Sequence, residues 1–216
     1  MFSILLAIYN GQSFVESSID SVLSQSFKDF ELLIGFNGTT DSSKEIVSKY
    51  QDSRIKIFDY GEDKGKAKTL NKLIIESKYD WIAIQDDDDV WTKEKLKTQQ
   101  KYTTDYDVIG SFINYIDAHG NFLGTPQLST KDEDIKRLSF GGINQIANTS
   151  AIFKKSKAIE IGGWRSDIDG IEDYDFWLRL MKNNNKFINI DQTLVHHRLH
   201  SKSNFNTKQH SLRTIL

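Results

Sequence analysis

The chain has 216 residues, 38% of them hydrophobic and 12% aromatic, and its 28 Lys and Arg nearly balance 30 Asp and Glu for a formal net charge of -2. That supplies apolar material for a substantial core in a single domain, and a near-neutral balance gives no global attraction to nucleic acid. The absence of cysteine excludes a disulfide framework and any Cys-ligated zinc or cluster. Met1-Phe2-Ser3-Ile4 lacks the basic region and cleavage site of a secretory signal, and no apolar run has membrane-spanning length. A soluble, cytoplasmic chain is therefore expected.

Ile4-Leu5-Leu6-Ala7-Ile8 is a continuous apolar run, the pattern of a strand covered on both faces, and it stops at the turn signal Tyr9-Asn10-Gly11. Phe14, Val15, Ile19, Val22 and Leu23 follow as a helical stripe, with Ser13 as N-cap and Glu16 completing a capping box. Phe30 to Phe36 reads as a second strand ending at Asn37-Gly38, Asp41 or Ser42 caps a helix through Tyr50, and Ile55 to Phe58 is a short third strand. A glycine- and lysine-rich loop, Gly61 to Lys66, leads into a helix through Ser77. Trp81 to Ile84 is a fourth, buried strand that runs into Gln85-Asp86-Asp87-Asp88-Asp89-Val90-Trp91, and a helix from Lys93 to Thr103 comes next.

Four strand–helix units predict a mostly parallel, doubly wound (Rossmann-like) α/β sheet flanked by helices. Ligands of such sheets lie beyond the carboxyl ends of the strands, which places Asn10, Asn37 and Asp86 along one edge. Neither G-x-G-x-x-G nor the P-loop pattern is present, so dinucleotide-binding and P-loop chemistry are disfavoured. The second half is less regular and reads as a smaller mixed part. Val108 to Tyr115 is a strand, Asp117 to Asn121 a hairpin turn into Phe122-Leu123, Asp132 to Leu138 a helix, and Thr149 to Phe153 a strand. Gly162-Gly163-Trp164 breaks the chain before Glu172-Asp173 opens another helix. Thr193 to Arg198 is a final strand, followed by a tail rich in His, Lys and Ser.

The four adjacent aspartates repel one another, and a divalent cation that takes oxygen ligands relieves that repulsion. An EF-hand loop fails on spacing, because its glycine and glutamate positions are held by Trp91 and Lys97. A solvated acidic turn is the competing explanation.

Taken together, Tyr9-Asn10, Ser21 to Phe27, Phe30 to Ile34, Gln85 to Trp91, Gly162-Gly163-Trp164, Glu172 to Leu180, and Arg198 with His200 resemble family 2 glycosyltransferases, in the family's order over nearly the whole chain. The resemblance implies a GT-A fold and inverting transfer from a nucleotide-sugar, a UDP-sugar by default, assisted by Mn²⁺ or Mg²⁺. The acceptor it implies is a glycan or lipid-linked glycan of surface polysaccharide or glycolipid assembly. Residues 1–104 become the nucleotide-sugar half and 105–216 the acceptor half of one domain. Asp86-Asp87-Asp88 matches the family's D-x-D element, which assigns Asp88 and His200 to the metal and puts Asp86 and Asp87 near the ribose and the metal's waters. Ala7, Tyr9, Asn10, Asn37 and Asn71 join them as nucleotide-sugar contacts, and Lys64, Lys66 and Lys68 either meet the donor phosphates or are solvated loop lysines. Asp173 matches the general base and Glu172 an acceptor contact. Helix N-terminal placement is expected to keep Asp173 ionised. Trp164 lies in a loop that can cover the acceptor, although it suits the core as well, as do Trp91 and Trp177. Asp89 is either part of the site or a cap of the next turn, and at most one of His196 and His197 faces the site.

One departure is plain. Where the family commonly has Asp-Asp-Gly-Ser after its second strand, this chain has Phe36-Asn37-Gly38-Thr39, so Asn37 offers the base a carbonyl without a charge. Two other readings compete. A sugar-1-phosphate nucleotidylyltransferase needs a glycine-rich basic signature that Tyr9-Asn10-Gly11-Gln12 does not supply. An inactive relative serving as a nucleotide- or glycan-binding module is expected to lack a carboxylate that is present here. The basic residues between His196 and Arg213 either approach an anionic lipid-linked acceptor at the inner membrane face or form a solvated end. Since the chain stops soon after His200, further residues or a partner are expected to complete the site.

Overall fold

The computed structural model describes residues 1–61, 65–168 and 170–201. In chain order the first half is β1 (Phe2–Ile8), α1 (Val15–Leu23), β2 (Phe30–Phe36), α2 (Ser43–Ser48), β3 (Ile55–Asp59), α3 (Lys66–Glu76) and β4 (Trp81–Asp86). The second half is β5 (Val90–Trp91), α4 (Lys95–Gln99), β6 (Val108–Ile116), β7 (Phe122–Gly124), α5 (Asp132–Phe140), β8 (Ile152–Lys154), α6 (Lys155–Glu160), α7 (Glu172–Lys182) and β9 (Phe187–Arg198). One sheet runs through both, in the order β3-β2-β1-β4-β8-β6-β9-β5, with β7 paired to β6. β1 to β4 are all parallel, and the strand order reverses direction at β1, between β2 and β4. From β8 onward antiparallel pairs enter, which makes the second half mixed. No helix among the described residues is long and apolar enough to cross a membrane.

The unbroken apolar runs follow from burial on both faces. Phe2, Ile4, Leu6 and Ile8, in register with Phe30, Leu32, Ile34 and Phe36, pack under Val15, Ile19 and Val22 of α1 and Val47 of α2. Leu5 and Leu33 point to the other face, where Leu70 and Leu73 of α3 and Phe176, Trp177 and Leu180 of α7 cover them with Ile82 and Ile84. α3 sits close because residue 35 is glycine. A Cβ there would lie 2.7 Å from Thr69 Cγ2 and 3.1 Å from Leu73 Cδ1. Gly35→Val is therefore expected to destabilise the fold by about 1–3 kcal/mol through overpacking, read as a lower denaturation midpoint.

Local signals held at some helix starts and failed at others. Ser13 does not cap α1, and the capping box with Glu16 does not form. The chain instead turns onto the Gly11 carbonyl, which accepts from Phe14 N at 3.0 Å and Val15 N at 2.9 Å, leaving Ser13 exposed. Asp41, rather than Ser42, serves α2, its carboxylate accepting from Ser43 N at 3.0 Å and Ser43 Oγ at 2.6 Å. The expected strand from Thr149 begins only at Ile152, because Asn148–Ser150 form a 3-10 turn closed by Ser150 N on Ala147 O at 2.9 Å. β9 starts six residues before Thr193, its first half mixing apolar Phe187, Ile188 and Ile190 with the buried amide Asn189 and the exposed Asp191 and Gln192.

Beneath the acidic strand end, Lys95 is fully buried. Its ammonium donates to Gln99 Oε1 at 2.8 Å and lies 3.9 Å from the centroid of the Trp91 ring. Burial holds its pKa well below the usual lysine value. Between the folded and unfolded values the unfolded chain binds the extra proton, so stability rises with pH across that interval. Lys95→Met is expected to flatten that rise, as the difference in unfolding free energy between pH 7 and pH 10 would show.

Candidate active site

β1, β2 and β4 end side by side because Ala7 pairs with Gly35 on one side and Asp86 on the other. Their end loops are tied to each other. Asn10, at φ 55°, accepts from Thr40 N at 2.9 Å and Asp41 N at 3.3 Å, linking the β1 and β2 loops. The buried Asn37 carbonyl accepts from Gly65 N at 2.9 Å, fixing the approach to α3. Tyr9 keeps an exposed ring and donates its backbone N–H to Asp87 Oδ2 at 3.4 Å.

The four aspartates divide into separate roles. Asp86 receives the Lys66 ammonium and, at 3.2 Å, the Asn148 amide. Asp87 packs so tightly on Gly11 that a Cβ there would lie 2.4 Å from its Oδ2, so this turn admits only glycine without displacing the carboxylate. Burial, reinforced by Asp88 and Asp86, pushes its pKa well above the usual range. Asp88 meets His200, with Nε2 and Oδ2 3.0 Å apart, and burial with Asp89 and Asp86 raises it to about 6. Asp89 is fully buried, and its carboxylate accepts from His197 Nδ1 at 3.0 Å and Arg198 N at 2.8 Å. It belongs to the framework, not to a solvated turn. Burial works against the charged His197 ring, but Asp89 outweighs it and raises the pKa to about 9. The neighbouring His196 faces the other way, toward Val90, Asn114 and Phe122.

α7 brings the acidic pair. Glu172 Oε2 accepts from Gly170 N at 2.6 Å, and Asp173 Oδ1 from Tyr174 N at 2.8 Å. At the helix N-terminus Asp173 still titrates below neutrality, but above the usual carboxylate range. Burial and the adjacent Glu172 raise it to about 6, against the opposing pull of Lys66. Lys66 is itself raised: burial opposes its charge, and Asp86, Glu172 and Asp173 together prevail. One lysine thus bonds the end of β4 and feels the charge at the start of α7.

Several sequence-derived contacts lie elsewhere. Trp164 is 2% exposed and stacks on Phe176, ring centroids 4.3 Å apart, so its ring is core and offers an acceptor no surface. Asn71 is engaged by the same loop, its amide donating to Trp164 O at 2.7 Å and accepting from Trp164 N at 2.9 Å. It fastens the loop to α3 instead of facing a donor. Lys68 is exposed in the first turn of α3. Lys64 and the tail beyond Ser201 lie outside the described residues. Sequence reasoning missed Asn148, since a polar residue before an apolar run gives no sign that a 3-10 turn will deliver it to Asp86.

Among the described residues, no three His, Cys, Asp or Glu side chains are grouped to hold a metal by themselves. The Asp88 carboxylate with the His200 imidazole nevertheless fits Mn²⁺ or Mg²⁺, ions that take part of their coordination from water and substrate phosphates. Burial first, and the neighbouring aspartates second, raise Asp87 and Asp88, so a cation held beside them would favour their charged forms.

A parallel sheet that ends in clustered aspartates and faces an acidic helix start is the arrangement of the GT-A glycosyltransferases. The structure of S. aureus TarS 1-349 in complex with UDP-GlcNAc matches it with a TM-score of 0.80 at 19% identity, over 99% of this chain and 63% of that one. This chain therefore spans about three fifths of the TarS fragment and shares its GT-A fold. It belongs to glycosyl transferase family 2, whose profile matches residues 3–162. Over 94% of its length it is 31% identical to the O-antigen biosynthesis glycosyltransferase WbnJ of Escherichia coli, covering 81% of that protein. It is also 27% identical, over 94% of its length and 79% of the relative's, to the Escherichia coli UDP-Glc:alpha-D-GlcNAc-diphosphoundecaprenol beta-1,3-glucosyltransferase WfaP.

Proposed function

We propose that this chain transfers a sugar, with inversion, from a nucleoside-diphosphate donor (a UDP-sugar first) to a hydroxyl of a glycan or lipid-linked glycan in surface polysaccharide assembly. The observation that supports this reading is Lys66, whose ammonium bonds Asp86 at the end of β4 while Glu172 and Asp173 at the start of α7 also favour its charge. The names of WfaP, a UDP-glucose enzyme acting on a diphosphoundecaprenol-linked sugar, and WbnJ, an O-antigen enzyme, support the choice of donor and acceptor class.

In this reading Asp173 accepts the proton of the acceptor hydroxyl. The acceptor oxygen attacks the anomeric carbon from the face opposite the diphosphate, and the bond to the phosphate oxygen breaks with its electron pair leaving on the nucleoside diphosphate. A carboxyl group with a pKa of about 6 suits a base working near neutrality. Asp88 and His200 would hold Mn²⁺ or Mg²⁺, which supplies positive charge to the diphosphate leaving group. Asp86 and Asp87 border the ribose, Glu172 the acceptor, and Tyr9, Asn10 and Asn37 line the donor edge. The first half then serves the donor and the second the acceptor, at the cytoplasmic face of a membrane.

Calorimetric titration of UDP, GDP, CDP and dTDP, each with and without Mn²⁺, tests the proposal. Selective, Mn²⁺-dependent binding of one diphosphate is expected. Failure of all four to bind in the presence of Mn²⁺ would leave a glycan-binding role.

A further inference from the structure

We propose that His197 is a positioning residue for the Asp88–His200 pair, acting through the buried Asp89. This rests on the reading of that pair as the cation site. Asp89 is inaccessible, so it cannot itself reach an incoming ion. Its two carboxylate oxygens are used on the end of β9: Oδ2 takes His197 Nδ1 at 3.0 Å and Oδ1 takes Arg198 N at 2.8 Å. The backbone of Asp89 is fixed from below by Gln85 Nε2, which donates to its carbonyl at 2.8 Å. The acidic turn and the end of β9 are thereby joined two residues before His200.

Arg198 makes the same junction from the other side. Its Nε donates to Asp88 O at 2.9 Å, and its Nη1 to Asp117 O and Ala118 O, each at 3.2 Å. Arg198 therefore fixes the backbone of Asp88, while His197 fixes the aspartate beside it. Leu199 N donates to Ile116 O at 2.8 Å, so the chain between this junction and His200 is held as well. His200 arrives against the Phe14 ring, centroids 4.8 Å apart, with Nε2 at Asp88.

The ring of His197 also meets Tyr115 edge-on, centroids 5.7 Å apart, which sets its tilt toward Asp89. Removing it leaves a buried carboxylate short of its side-chain donor, and such a group recruits water or shifts. The turn that carries Asp88 then loses its fixed relation to His200. Partners one layer outside a metal site typically change metal affinity about 10–100-fold when removed.

The test is Mn²⁺ affinity, measured from the free-Mn²⁺ electron paramagnetic resonance signal at fixed UDP. His197→Leu is expected to weaken Mn²⁺ binding about 10–100-fold while UDP affinity without metal stays at the wild-type value. His197→Asn, whose amide can take the place of Nδ1, is expected to recover most of the loss. Wild-type Mn²⁺ affinity in the leucine variant would overturn the proposal, as would an asparagine variant no better than leucine. Should the leucine variant not fold, Asp89→Asn probes the same link and is expected to show the same selective loss. Wild-type protein that shows no Mn²⁺-dependent UDP binding would overturn the functional reading itself, before any variant is made.

Discussion

Asp173→Asn is expected to lower kcat by about 10²–10⁴-fold, the usual worth of a positioned general base, with Mn²⁺-dependent UDP binding unchanged. Asparagine has the same shape and retains an oxygen for Tyr174 N, so the start of α7 should persist. Under the proposed mechanism, what disappears is the ability to take a proton from the acceptor hydroxyl. The base works only when ionised, so wild-type kcat should rise with pH through about 6 and level off above it. Lys66→Met should move that limb to higher pH, since Lys66, more than the Tyr174 N–H, pulls Asp173 downward. A transfer assay run beside calorimetry separates these effects. Retention of most of the turnover by Asp173→Asn would place the base elsewhere.

The second large effect falls on binding. Asp88→Ala should reduce Mn²⁺-dependent UDP affinity by more than the about 10–100-fold that follows loss of an outer-layer partner, with metal-free affinity unaltered. The fold should tolerate the change, because Arg198 holds the Asp88 carbonyl and not its side chain. His200 loses its carboxylate neighbour at the same time, so under the proposed reading an ion would lose one ligand and the orienting partner of another. Titrations with and without Mn²⁺ decide the matter. Equal loss in both would mean that Asp88 contacts the nucleotide directly.

The parallel half of the fold was legible because its signals are local. β2 runs from Phe30 to Phe36 as read, since two-sided burial writes itself as an unbroken apolar run between turns. The start of α7 at Glu172 was equally visible. Where side chains meet across long sequence separations, the sequence was silent. Asn71 has the appearance of a donor contact, yet its amide is engaged by Trp164, 93 residues away. The first half of β9 was hidden by Asn189, a fully buried amide that donates to Ser129 O and Gln145 O, each at 2.8 Å. Of the four aspartates, only packing could show that Asp89 faces inward while its neighbours crowd the cleft.

The bond between Asn71 and Trp164 has a consequence for how such a protein diversifies. α3 carries Lys66 at its first residue and Asn71 in the next turn, so one helix both bonds Asp86 at the end of β4 and holds the loop that precedes α7. Gly163 is locked against the same amide, where a Cβ would lie 2.3 Å from Asn71 Oδ1. Under the proposed function, a change of sugar or acceptor would fall on the loops around this frame, with the frame left as it is.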